Sequence, residues 1–164
     1  MSTTQIERLI AALGQGQVEF VLIGGLAAIA HGSAHLTYDV DVCYRRTPEN
    51  IRRLCNALEP YHPYLRGAPP GLPFSFDPPT VESGSNFTLT TDIGDLDLLG
   101  EVMGLGDFDQ VAAASEVMDV FGFSVRVLSL EGLIRSKKAV GRSKDLLIVP
   151  ELEELLKLKR RVSS

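Results

Sequence analysis

The chain has 164 residues, of which 45% are hydrophobic and 23% charged, with a formal net charge of −5. That describes one globular domain with a single core. It excludes a basic surface spread over the chain for nucleic-acid binding and leaves only a local patch for that role.

No apolar run approaches the roughly 18 residues of a membrane span. Residues 1–14 carry Glu7 and Arg8, where a signal core would be apolar. Cys43 and Cys55 lack CxxC spacing, so neither a zinc knuckle nor a redox pair is encoded. Reduced thiols in a cytoplasmic protein with no membrane association are the expectation.

Ile6, Leu9, Ile10 and Leu13 recur at helical spacing and predict a helix over 4–13, with Thr3 or Thr4 as its N-cap. The apolar run 18–23 stops at Gly24-Gly25 and reads as a buried strand. The Ala-rich residues 26–31 predict a helix closed by Gly32, with His31 capping its C-terminal end. Over 38–44, Val40 and Val42 alternate with Asp39, Asp41 and Cys43, which is a strand with one apolar and one acidic face. Thr47 caps and Pro48 opens a helix that carries Ile51, Leu54, Cys55 and Leu58. Proline and glycine crowd residues 66–80, from Arg66 to Thr80; this excludes a regular element and predicts a mobile loop at a functional rim. Two hairpins follow, one turning at Ile93-Gly94 and one at Phe121-Gly122, with a short helix over 107–114 between them. Ser129 begins a helix through Leu133, Ile134 and Lys137, and 150–161 form the last helix, acidic early and basic late. Alternating strands and helices followed by antiparallel hairpins predict an α+β fold, a mixed sheet flanked by helices, in one domain spanning 1–164.

Asp39 and Asp41 sit two apart on a strand, so their side chains share a face, with Cα atoms about 6.5 Å apart. Asp95 and Asp97 repeat the pattern. If the two strands are neighbours, Asp97 or Asp95 joins the first pair. Three converging carboxylates repel one another unless a cation lies between them. Oxygen donors of this type suit Mg²⁺ or Mn²⁺, and two such ions serve in-line displacement at phosphorus. The Gly24-Gly25 turn adds close backbone approach and helix N-terminal N–H groups for phosphate oxygens. By itself a Gly-Gly turn is weak evidence, and no complete GxGxxG or P-loop pattern occurs.

Together, "IGG", then "TYDVDV", then the third aspartate of "GDLDLLG" resemble the nucleotidyltransferase superfamily. The segment "LSLEGLIRSKKAVGRSKDLL" looks like the corresponding stretch of the small bacterial nucleotidyltransferases grouped with abortive-infection toxins of the AbiEii type. The resemblance implies a metal-dependent enzyme that transfers a nucleoside monophosphate from an NTP to an acceptor hydroxyl on tRNA, protein or a small molecule. It implies that Gly24 and Gly25 contact the triphosphate. Asp39 and Asp41 would hold two metal ions, and Asp97 one of them while acting as base. Lys137 would reach the phosphates, with Arg142, Lys144 and Asp145 contacting phosphate or supporting that lysine. A toxin–antitoxin partner or a homodimer would complete the acceptor side of so short a chain. In one place the chain departs from the family pattern. His35 stands where members commonly carry Arg, and an imidazole replaces a fixed positive charge. That substitution motivates the alternative of a degenerate, nucleotide-binding relative without catalysis.

Overall fold

The computed structural model describes residues 3–163. In chain order, α1 (Thr3–Gln15) leads to β1 (Phe20–Ile23), α2 (Gly24–Ala30), β2 (Asp39–Tyr44) and α3 (Pro48–Leu58). Then come β3 (Tyr64–Leu65), α4 (Pro78–Ser83), β4 (Phe87–Thr91) and β5 (Gly94–Leu99). A small ribbon of β6 (Glu101–Val102) and β7 (Gly106–Asp107) precedes α5 (Phe108–Ala113). The chain ends with β8 (Ser115–Val120), β9 (Phe123–Leu128), α6 (Leu130–Val140), α7 (Ser143–Leu146) and α8 (Val149–Ser163). No helix among the described residues is long and apolar enough to cross a membrane.

Seven strands form one mixed sheet in the order β3-β4-β5-β2-β1-β9-β8. Two neighbouring pairs are parallel, β2 with β5 and β1 with β9; the rest are antiparallel. The expected α+β mixed sheet is therefore present. β1 and β2 lie in the middle of it; every residue of β1 is buried, whereas β2 keeps Asp39 and Asp41 partly exposed on one face. Val40, Val42, Leu96 and Leu98 are fully buried, and so are Leu9, Ile10 and Leu13 of α1 and Ile51, Leu54 and Leu58 of α3.

The α3 start is built as its sequence requires. The Thr47 side chain accepts a bond from Asn50 N, and Pro48 occupies the first turn. Asn50 is itself buried and ties the helix to the sheet end. Its Oδ1 accepts from Glu19 N at 2.7 Å, and its amide nitrogen donates to the Glu19 and Arg45 carbonyls at 3.0 and 2.8 Å. Full satisfaction is what allows an amide there.

Several elements differ from the sequence reading. Thr3 and Thr4 are already helical, so neither is the α1 cap, and the position before Thr3 lies outside the described residues. Residues 66–80 are not wholly irregular, because Pro78 opens α4 under an Asp77 cap that accepts from Thr80 N. Proline lacks an N–H that the first helical turn would leave unpaired anyway, so a Pro-Pro pair can begin a helix. Tyr64 Oη donates to the Pro69 and Leu72 carbonyls, and Phe74 packs edge-on against the Tyr64 ring. The first hairpin turns one residue early, with Thr91 paired to Gly94 across Asp92-Ile93. The acidic face of β2 is only partly open. Cys43 shares it with the aspartates yet is fully buried, with Asp107, the α5 cap, close enough to help push its thiol up to about 12.

Candidate active site

The parallel β2–β5 register sets Asp39 opposite Asp95 and Asp41 opposite Asp97. Parallel neighbours in register present their side chains on one face, so four carboxylates share it. Ligand oxygens of Asp39, Asp41 and Asp97 lie within 4.8 Å of one another, the one such cluster of three among the described residues. Asp41 Oδ1 and Asp97 Oδ1 are buried and have no hydrogen-bond donor. Three carboxylates that converge this closely, two of them with a buried oxygen that lacks a hydrogen-bond donor, fit a divalent cation.

The charges are strained accordingly. Burial, then the charges of Asp39 and Asp97, push the Asp41 carboxyl up to about 8, with Lys137 opposing. Burial and Asp97 raise Asp39 too, while Arg66 pulls it down. The stability consequence has a definite sign. In the metal-free protein the folded state holds the Asp41 proton more tightly than the unfolded chain does. Between pH ~4 and ~8 the unfolded chain has therefore lost a proton that the folded one keeps, and stability falls as pH rises through that window. Added Mg²⁺ or Mn²⁺ favours the ionised form, so cation-induced stabilisation should be larger at pH 8.5 than at pH 6. Thermal melts with chelator or with cation across this range would show it. A chelator-treated protein that gained stability from pH 6 to 8 through this site would contradict the assignment.

Gly24 makes the cluster sterically feasible. It has φ +67, and a Cβ there would run into Asp41 Oδ2. Gly25 backs onto Thr37 instead, whose hydroxyl donates to the Asp39 carbonyl at 3.0 Å. So one glycine makes room for a carboxylate, and the other for the side chain that steadies the start of β2.

A cleft of about 540 Å³ opens beside the acids, with Gly24, Asp41, Asp97, Lys137, Arg142 and Asp145 in its lining. Leu99, Val102, Met103 and Val140 give it an apolar wall. Lys137 projects from α6. Asp145, buried in α7, holds it at 3.4 Å and accepts from Arg142 Nε at 2.6 Å. The Arg142 bond and the Lys137 charge keep the Asp145 carboxyl below the usual range, so it stays ionised and orients both cations. Lys144 is exposed and is not among the residues lining the cleft, and neither is Gly25. Thus of the nine residues singled out in the sequence, Gly24, Asp41, Asp97, Lys137, Arg142 and Asp145 line one cavity, and Asp39 borders it through the carboxylate cluster.

His35 is not among the residues lining this cleft. Its Nδ1 lies 3.0 Å from Glu151 Oε1, and the same carboxylate accepts from Ser33 Oγ at 2.6 Å and Ala34 N at 3.0 Å. His31 does cap α2, but its ring is used elsewhere: Nε2 donates to the Leu128 carbonyl at 2.8 Å.

Arg66 was invisible as a site residue in the sequence. It follows β3, and its backbone N–H donates to the Thr88 carbonyl. That pairing carries its guanidinium over the acidic face, 2.8 Å from Asp97 Oδ1, 3.4 Å from Asp95 Oδ2 and 3.7 Å from Asp39 Oδ2. The contact with Asp97 is an ion pair without hydrogen-bond alignment, which is why that oxygen still lacks a donor.

No family model matches the chain, and no curated protein matches it. Solved structures do. The lincosamide antibiotic adenylyltransferase LnuA, solved with lincomycin bound, superposes with a TM-score of 0.62 at 13% identity, over 94% of this chain and 98% of its own. ANT(2'')-Ia, solved with adenylyl-2''-tobramycin, gives 0.56 at 14% identity over 98% of both chains. TM1012 of Thermotoga maritima, provisionally assigned as a nucleotidyltransferase, gives 0.55 at 13% identity over 99% of this chain and 96% of its own. The chain has the nucleotidyltransferase fold.

Proposed function

We propose that this protein is a metal-dependent nucleotidyltransferase that moves a nucleoside monophosphate from an NTP to an acceptor hydroxyl and releases pyrophosphate. The observation that carries the reading is the Asp39–Asp41–Asp97 cluster, with its two donorless buried oxygens, on the wall of a cleft that also holds Lys137. The three aspartates would hold Mg²⁺ or Mn²⁺, two ions by the family resemblance; the bound cation supplies charge neutralisation at the phosphates. Lys137 meets the triphosphate and Asp145 keeps it extended, with Arg142 beside it. Gly24 lets the triphosphate approach the backbone, Gly25 supports the turn, and Lys144, next to Asp145 in the chain, adds positive charge. Asp97 accepts the proton of the acceptor hydroxyl while that oxygen bonds to the α-phosphorus and the bond to the pyrophosphate oxygen breaks.

The adenylyltransferases among the structural neighbours favour AMP as the transferred group and a small-molecule hydroxyl as acceptor. The AbiEii-like segment ending at Asp145 favours RNA or protein, in a toxin–antitoxin setting, with a partner chain or second copy completing the site. A second reading, nucleotide binding without transfer, is favoured by His35, whose ring is committed to Glu151 rather than to the cleft. One experiment separates them. Each α-labelled NTP is incubated with Mg²⁺ or Mn²⁺ and with total RNA, cell protein or a panel of aminoglycosides and lincosamides. Label transfer with stoichiometric pyrophosphate establishes catalysis and identifies the acceptor. NTP binding with no pyrophosphate under any condition supports the non-catalytic reading.

A further inference from the structure

Four carboxylates share one face of β2 and β5, and one cation already stands among them. Arg66 reaches Asp97, Asp95 and Asp39 at once, at 2.8, 3.4 and 3.7 Å. We infer that Arg66 is the resident cation of this cluster, a positioning residue that holds the aspartates together in the metal-free protein and yields its place to an incoming divalent ion. The inference rests on the metal-binding reading above.

Three features support competition rather than a permanent structural bridge. First, Arg66 addresses the oxygen that a metal would need. Asp97 Oδ1 is its nearest carboxylate atom, and Asp97 and Asp39 both belong to the cluster of three. A guanidinium and a divalent cation cannot both occupy that position without strong repulsion. Second, the grip is weak in direction. Arg66 Nε is buried without a hydrogen-bond partner, and Asp97 Oδ1 receives no aligned N–H. A permanent Arg–carboxylate bridge is usually bidentate and fully aligned. Third, Arg66 has somewhere to remain. Its Nη2 donates to the Leu89 carbonyl at 2.6 Å, and its backbone is fixed to Thr88. Asp95, outside the cluster of three, stays within reach as an ion-pair partner. The arrangement gives Asp95 a role that its surface-like position conceals. It also places the exchange at the root of the 66–77 loop, where Gly67 follows at φ +80.

The test uses the full-length chain and Mn²⁺ as probe, with affinity measured by calorimetry and by loss of the free-ion paramagnetic signal. Arg66→Gln should bind Mn²⁺ about tenfold tighter than the wild type, because a like charge within a few ångströms of the ion is removed. Arg66→Lys, which keeps the charge, should stay close to the wild type. Metal-free Arg66→Gln should melt lower than wild type, and the gap should close at saturating Mn²⁺. A second measurement does not depend on the variant folding. The Arg66 Nε–H resonance of the ¹⁵N-labelled wild type, assigned by its loss in Arg66→Lys, should move on Mg²⁺ addition. Equal or weaker Mn²⁺ binding by Arg66→Gln, or an Nε–H signal unmoved at saturating Mg²⁺, overturns the inference while wild-type binding leaves the metal site standing. Binding by neither protein overturns both.

Discussion

Asp41→Asn is expected to lower NTP-dependent transfer about a thousandfold or more while the metal-free protein becomes more stable. The two effects have one origin. Asp41 is held where its charge is least welcome, with its carboxyl pushed up to about 8 by burial and by Asp39 and Asp97. Asparagine keeps the shape and removes the charge, so it relieves that repulsion. The gain should be on the order of 1–2 kcal/mol at pH 8, or a few degrees of melting temperature for a chain of this size. The same change deletes one of three carboxylates that would neutralise developing charge at phosphorus, and electrostatic groups of this kind carry the largest share of phosphoryl-transfer rate. Melting in chelator and pyrophosphate release in Mg²⁺ would be measured on the same preparation. A structural role for Asp41 predicts the opposite pairing, with lowered stability and activity lost only in proportion to unfolding. A site built for function at the expense of stability predicts the divergence.

The aspartates were legible because two local rules coincide at them. Asp39 and Asp41 alternate with Val40 and Val42, so the apolar partners state which face is core and leave the acids together. The repeat at Asp95 and Asp97 announces a second such strand, although only the sheet shows that β5 lies parallel to β2 in a register that matches Asp41 with Asp97. Arg66 was hidden for a different reason. It precedes a stretch dense in proline and glycine, and its reach over the acids depends on β3, a strand of two residues whose pairing to β4 no periodicity can reveal. Cys43 shows the limit of alternation itself. Period two places it with Asp39 and Asp41, but burial depends on what packs above, and α5 with its Asp107 cap covers that end of the strand. Likewise Tyr38, read as the first residue of the strand, lies before β2 and is 70% exposed.

Gly24→Ala is expected to cost about 2–3 kcal/mol of stability and to abolish cation binding, whereas Gly25→Ala should cost less and leave the metal site largely intact. In the sequence these glycines are equivalent members of one pair. In the fold they are not. Gly24 has φ +67, a left-handed conformation that costs an alanine roughly 1–2 kcal/mol by itself. Its added Cβ would also lie 2.9 Å from Asp41 Cβ and Cγ and overlap the carboxylate oxygen. Asp41 could retreat only by turning off the shared face, and then its oxygen would no longer lie with those of Asp39 and Asp97. Gly25 needs no left-handed backbone, and its Cβ would meet Thr37 Oγ1 and Cβ at 2.9 and 3.0 Å. Rotation of Thr37 clears its Oγ1 at the loss of one hydrogen bond to the Asp39 carbonyl, worth about 1 kcal/mol, and the remaining Cβ contact is relieved by a backbone shift of a few tenths of an ångström. Chemical denaturation and Mn²⁺ titration of both variants would decide it. Equal losses in the two would mean that the pair serves only the turn. A loss of metal confined to Gly24→Ala would mean that the first glycine is there for the carboxylate, so that close packing of backbone against Asp41, as much as phosphate contact, explains why the strand must end in glycine.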